Sequence, residues 1–249
     1  MAFVAAVAGK GGVGKSTLSA LLVRALAERS GKVVLAVDAD PNSNLGEKLG
    51  VKAERTIGDL REDLLKRAEE ISAGGSKQDA VLYQLRLAMV EGKDFDLVTM
   101  GRQEGRGCYC YINNLLRTFL DDVMDRYPYV IIDNEAGMEH LSRRTCQKMD
   151  VLIVVSDATA VGLRTAERIL DLARAMEIDV RSSVLLINRS SGELPEPSKE
   201  LVPSGFDRTV VLPFDRAIEE LAISGAPLAS LPQDSALFIA VREFADGLR

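Results

Sequence analysis

Seven short runs of consecutive apolar residues, rich in Val and Ile, punctuate the chain: Phe3–Ala8, Val33–Val37, Leu97–Met100, Tyr129–Ile132, Val151–Val155, Val184–Ile187 and Thr209–Leu212. They are continuous rather than alternating, which is the pattern of strands buried on both faces of a mostly parallel sheet. Longer amphipathic stretches separate them: Ser16–Arg29, Asp59–Ile71, Asp79–Glu91, Asn113–Tyr127, Leu163–Met176 and Ser235–Leu248. Strand–helix alternation of this kind predicts a doubly wound α/β fold, a mostly parallel central sheet with helices on both faces. The Pro/Ser/Glu-rich piece Ser190–Ser204 reads as a surface loop. Residues 49–92 carry two helical patterns around Gly74-Gly75 and are expected to form a helical insert, a cap or an interaction element, within one domain spanning 1–249.

Composition narrows the function classes. The 249 residues include 31 Lys+Arg and 37 Asp+Glu, a formal charge of −6, and a general nucleic-acid binder would show the opposite balance. No apolar run approaches the ~18 residues needed to span a bilayer, and the start of the chain has no cationic segment before its first strand. Three cysteines are no disulfide framework, and a reducing cytoplasm is the expected compartment. No nucleic-acid or membrane partner is therefore expected.

The chemistry begins directly after the first strand. Gly9-Lys10-Gly11-Gly12-Val13-Gly14-Lys15-Ser16 fits G-x-x-x-x-G-K-[ST] and opens a helical pattern, the context that this motif requires. Its glycines let backbone N–H groups wrap a phosphate, and the helix N-terminus adds positive potential. Lys15 would reach the β/γ-phosphates, the Ser16 hydroxyl would ligate Mg²⁺, and Thr17 extends the nucleotide-binding set. Lys10 is a second lysine inside the loop, either a solvated charge or a cation that reaches a phosphate. With it, the motif resembles the deviant Walker A loop of the MinD/ParA/nitrogenase-iron-protein class of P-loop ATPases. That resemblance implies that Lys10 contacts nucleotide across an ATP-linked homodimer.

Two further strands end in acids. Val33–Val37 runs into Asp38-Ala39-Asp40-Pro41-Asn42-Ser43-Asn44, at the end of a strand where open α/β sheets bind ligands. Asp40 resembles the switch I aspartate that orients or activates the attacking water, and Asp38 is placed for the Mg²⁺ shell. The alternative is that both cap the turn. Some relatives carry a second acid where Asn44 falls. Tyr129–Ile132 ends in Asp133, the Walker B pattern, and Asp133-Asn134-Glu135-Ala136-Gly137 resembles the class's D-x-x-A-G switch II. Asp133 would hold a water on Mg²⁺, while Gly137 can donate to a γ-phosphate and permits hinge motion. Guanine recognition by N-K-x-D is absent, because Asn188-Arg189-Ser190-Ser191 has no acid in place; ATP/ADP is the expected nucleotide. Asn188 resembles the class's adenine-contacting asparagine, with Arg189 beside it. Pro213-Phe214-Asp215 falls at its second base-binding loop.

Gly105-Arg106-Gly107-Cys108-Tyr109-Cys110-Tyr111 is the most distinctive local feature. Thiolates are soft ligands for nickel, zinc, copper or iron–sulfur centres, yet a C-x-C pair supplies only two. A twofold axis through a homodimer would complete a four-thiolate set. The alternative is that Cys108 and Cys110 are small buried hydrophobes. Cys146 reads as a packed residue, and His140 as structural or as a relay of switch II motion. Taken together, G-K-G-G-V-G-K-S, D-A-D-P-N-S, G-C-Y-C-Y and D-N-E-A-G-M-E-H-L resemble the CooC family, nickel-insertion ATPases of carbon monoxide dehydrogenase, and the related acetyl-CoA synthase maturation factor. The resemblance spans essentially the whole chain. It implies an ATPase that binds Ni²⁺ or Zn²⁺ at Cys108 and Cys110 of a dimer and serves one of those client enzymes. Two alternatives stay open: an electron-transfer ATPase with a bridging iron–sulfur cluster, and a MinD/ParA-type positioning ATPase.

Overall fold

The computed structural model describes residues 2–66, 82–101, 110–136, 148–190 and 194–248. Its centre is an eight-stranded sheet: β1 (Phe3–Gly9), β2 (Val34–Ala39), β3 (Val90–Glu91), β4 (Phe95–Thr99), β5 (Tyr129–Asn134), β6 (Lys148–Ser156), β7 (Asp179–Ser190) and β8 (Arg208–Pro213). The spatial order is β3-β4-β2-β5-β1-β6-β7-β8, parallel throughout except for β3 against β4. The helices are α1 (Lys15–Ser30), α2 (Asn44–Leu49), α3 (Ile57–Lys66), α4 (Cys110–Met124), α5 (Ala160–Ala175), α6 (Glu196–Glu200), α7 (Arg216–Ser224) and α8 (Ala236–Asp246).

The expected α/β architecture is present, and the reason for unbroken apolar strands is visible in it. Successive residues of each central strand enter opposite cores. Ala6, Leu35, Val37, Val130, Ile132, Leu152 and Leu185 join one core with α4 and α5. Ala5, Val34, Ala36, Ile131, Ile153 and Leu186 join the other with α1 and α8. A side chain on either face is lost to water, so neither parity tolerates a polar residue in mid-strand. The C-terminal helix α8 seats Phe238, Val241 and Phe244 in the core beside α1, and Arg29 of α1 donates to the Ala245 carbonyl.

Several boundaries differ from the expectation. Residues 82–87 are helical, but the helix expected over 79–91 stops early: Met89 N–H closes on the Arg86 carbonyl, and Val90–Glu91 pairs antiparallel to β4. The hairpin closes by Gly92 N–H to Phe95 O at 2.7 Å. Tertiary pairing overrides helical spacing here. The stretch 190–204 holds the short helix α6, which starts after Pro195 and is tied down by Ser198 Oγ donating to Ala158 O at 2.7 Å. Neither α2 nor α7 stands out in the hydrophobic pattern; six residues are too few to show a period, and α7 has no fully buried residue. Gly74-Gly75 lies outside the described residues.

Candidate functional site

Sheet register brings the chemistry together. Asp38 on β2 and Asp133 on β5 are direct cross-strand partners, and Val7 near the end of β1 pairs with Asp133 from the other side. All three strands deliver their carboxyl ends to one edge, and the loop 9–14 leaves β1 there to enter α1. The loop is folded by close backbone approach. Gly14 has φ +99°, and a Cβ on it would lie 2.6 Å from the Asn188 amide nitrogen. A Cβ on Gly9 would lie 2.3 Å from the Val155 carbonyl oxygen. Only glycine fits either position. Val13 is buried beneath the loop.

Lys15 is buried to 7 % exposure, and its Nζ curls back over the loop to the Lys10 carbonyl at 3.4 Å. Burial pulls its pKa below the ordinary lysine value, while the charges of Asp133, Asp40 and Glu135 oppose that shift. Burial raises Asp133 to about 6, against the Ser19 hydrogen bond, the nearby Ser16 hydroxyl and the charge of Lys15. Ser19 Oγ donates to Asp133 Oδ1 at 3.0 Å, but Oδ2 is buried with no hydrogen-bond partner among the described residues. Burial raises Asp38 to about 7, with the neighbouring Asp133 charge adding to it. Asp38 accepts the N–H of Asp40 at 3.1 Å and of Leu45 at 2.9 Å, so its carboxylate holds both ends of the switch I turn. Asp40 Oδ1 accepts from the Asn42 backbone and amide at 2.8 and 2.9 Å.

An orphaned carboxylate oxygen beside a serine hydroxyl and a second buried acid is a donor set that fits a hydrated Mg²⁺. Ser16 would ligate the ion, and Asp133 Oδ2 would accept from its water shell. Asp38 stands beside them, although both of its oxygens already accept backbone N–H groups. Such an ion supplies positive charge to a triphosphate.

A cleft of about 550 Å³ opens above this edge, lined by Gly12, Lys15, Thr17, Asp40, Glu135 and Arg189 among others. Gly11 and Ser16 also line it, so the phosphate loop, switch I and the start of switch II face one cavity. Lys10 is exposed. Arg189 reaches the lining from a left-handed backbone position at φ +59°.

Asn188 and Asp215, two of the residues expected near the base, are engaged in hydrogen bonds of their own. Asn188 is 5 % exposed, and its amide donates to Val13 O at 2.9 Å while its carbonyl accepts the Arg189 N–H at 2.9 Å. It pins the phosphate loop to β7. Asp215 caps two helices, accepting Ala217 N–H at 2.9 Å in α7, and Ser235 Oγ at 2.6 Å and Leu237 N–H at 3.1 Å at α8. Burial works to raise its pKa, but these hydrogen bonds win and hold it below the usual carboxylate value. Neither Pro213 nor Asp215 lines the described cleft. Gly137, Cys108, His140 and Cys146 lie outside the described residues; Cys110 is the first residue of α4.

Glu135, to which no motif assigns a role, faces the cleft and bears electrostatically on Lys15. Its place inside the D-x-x-A-G segment was the available signal. Glu47 and Lys48 also line the cleft, and no motif pointed to them.

Residues 1–185 match the family model described as AAA domain. The chain is 44% identical over 249 residues to an uncharacterized ATP-binding protein of Methanocaldococcus jannaschii, covering 98% of this chain and 97% of that protein. It is 32% identical over 225 residues to the carbon monoxide dehydrogenase accessory protein CooC of Rhodospirillum rubrum, covering 86% and 84%. In fold it is similar to a ParA family ATPase from Chlorobium tepidum, with TM-score 0.73 and 20% identity over 100% of this chain and 99% of the other.

Proposed function

The chain belongs to the AAA domain family as a P-loop ATPase of the MinD/ParA class, and from that premise we propose that it is a nucleotide-gated nickel chaperone. One observation carries the reading. A helix that follows a parallel strand runs back antiparallel to it, so α4 begins at the carboxyl edge of the sheet that also presents Asp38, Asp133 and the phosphate loop. Cys110 is its first residue and Cys108 precedes it by two. Cys110 therefore starts α4 at the nucleotide edge, and a thiolate is favoured at a helix N-terminus. The similarity to the accessory protein CooC supports nickel as the cargo and carbon monoxide dehydrogenase or acetyl-CoA synthase as the client.

In this reading ATP occupies the cleft, with its phosphates on the N–H groups of Gly11–Ser16 and on Lys15. Asp40 positions the attacking water. Lys10 reaches the nucleotide of a second copy, and Arg189 lies on the base side. Two copies bring together four thiolates from Cys108 and Cys110 for Ni²⁺ or Zn²⁺. Rearrangement of switch I and switch II on hydrolysis shifts the subunits and releases the metal, in the cytoplasm.

The test is metal stoichiometry. Wild-type protein should bind one Ni²⁺ per dimer, with affinity rising with pH through the thiol range. The Cys108→Ser/Cys110→Ser variant should bind ATP normally and lose that ion and the metal-induced dimer. Retention of one ion per dimer in this variant would overturn the interface site. A MinD/ParA-type positioning role is the second reading, favoured by the match in fold along the whole chain. A metal-free wild-type dimer that hydrolyses ATP would support it. A visible absorption band from anaerobically purified protein would point instead to an iron–sulfur cluster.

A further inference from the structure

A second cavity, of about 360 Å³, lies on the far side of α2 from the nucleotide cleft. Its floor is apolar: Ala20, Val23 and Ala27 on one face of α1, with Leu49, Phe95 and Leu228 closing the sides. Its charged rim carries Arg24, Glu28, Lys48, Lys93 and Asp94. Arg24 is already engaged, through Glu28 at 2.9 Å and the carbonyls of Leu228 and Leu231 at 3.3 and 2.9 Å. Glu28 is held by Arg24 and by Gln233 at 3.0 Å. Lys48 and Lys93 make no ion pair among the described residues, leaving Asp94 as the single unmatched acid against two lysines. A concave apolar floor with a few polar groups converging at the rim is the composition of a small-molecule site, and the volume lies in that range.

Lys48 lines both cavities. It sits in the last turn of α2, whose first turn is held by Asp38 through the Leu45 N–H. Helix α2 is thus the wall between the two spaces and is anchored to the switch I turn. We propose that this second cavity binds a small amphipathic carboxylate, its apolar body on the α1 floor and its anion on Lys48 and Lys93, and that occupancy is coupled through α2 to the nucleotide cleft. A bound carboxylate draws Lys48 out of the nucleotide cleft and resists movement of α2. Nucleotide affinity falls when the cavity is filled, and by linkage the carboxylate binds more weakly when nucleotide is present, by the same factor.

The probe is 4-phenylbutyrate, with 4-phenylbutanol as its uncharged counterpart, titrated into the full chain by ligand-observed NMR and calorimetry. A ligand of this size is expected to bind with a Kd of roughly 1 mM. The alcohol should bind more weakly, and salt should weaken the acid selectively. Ala229→Leu narrows the mouth from an exposed position, and Lys93→Gln removes one cation; neither residue lines the nucleotide cleft. Each should weaken phenylbutyrate several-fold while leaving ATP turnover in the absence of the probe unchanged. Saturating ADP should weaken phenylbutyrate by about fivefold or more. Binding absent up to about 10 mM, or equal in wild type and both variants, overturns the site. Equal phenylbutyrate affinity with and without ADP overturns the coupling.

Discussion

Replacing Asn188 with alanine separates two roles for one residue. The amide bridges β7 and the phosphate loop, donating to Val13 O and accepting from Arg189 N–H, both at 2.9 Å, at 5 % exposure. Asn188→Ala leaves the Val13 carbonyl with no partner in a dry position. An orphaned buried polar group costs about 1–3 kcal/mol. In a chain of this length, each kcal/mol moves Tm by about 2–4 °C, so the nucleotide-free protein should melt about 2–12 °C lower. Freed from Asn188, the loop also loses its left-handed Gly14 geometry, and part of any nucleotide's binding free energy goes into restoring it. ADP and GDP affinities should then fall by similar factors. Scanning calorimetry of the nucleotide-free variant and titration with both diphosphates supply the measurements. An unchanged Tm together with a loss confined to ADP would refute the loop-pinning role and assign Asn188 to the adenine.

Four other outcomes follow from the site. Nucleotide-free protein should gain stability as pH falls from about 7 towards 5, because Asp38 and Asp133 take up protons near 7 and 6 when folded but release them near 4 when unfolded. Carboxylates with lowered values, such as Asp59, Asp207 and Asp215, stay ionised in that window, and Asp38→Asn should flatten the trend in thermal melts. Lys15→Ala should weaken ATP about thirtyfold or more, the usual cost of truncating a buried charge partner, as calorimetry would read. Asp40→Ala should keep ATP binding and lose about 10²–10⁴ in turnover by phosphate release; unchanged turnover removes Asp40 from its role. Lys10→Ala should weaken ATP-dependent dimerisation by sedimentation, and a wild-type profile in both sedimentation and turnover would make Lys10 a plain loop charge.

How much of this could be read without coordinates depends on how local the cause is. Unbroken Val/Ile runs report burial on both faces, so all seven long strands and the α/β architecture were legible in the chain. The phosphate loop was legible too, because Gly9, Gly14, Lys15 and Ser16 act within one turn of backbone. Acids at strand ends, Asp38, Asp40 and Asp133, were legible as candidates, since a parallel sheet puts every strand's carboxyl end on one edge. What each does was not. Asp38 and Asp133 become neighbours only through the register of β2 and β5, 95 residues apart in sequence, and their raised pKa values come from that shared burial. Asn188 and Asp215 show the same limit. Neither the Asn188 bond to Val13 nor the Asp215 bond to Ser235 could be read from the chain, because each depends on where its partner lies in space. Strand β3 forms where periodicity favoured helix, because β4 offers an edge to pair with. The cavity behind α2 has no counterpart in the sequence, since its walls come from four separate stretches of chain. Residue type and short-range spacing determine which chemistry is available, whereas long-range packing decides which groups meet and which of their hydrogen bonds are left free.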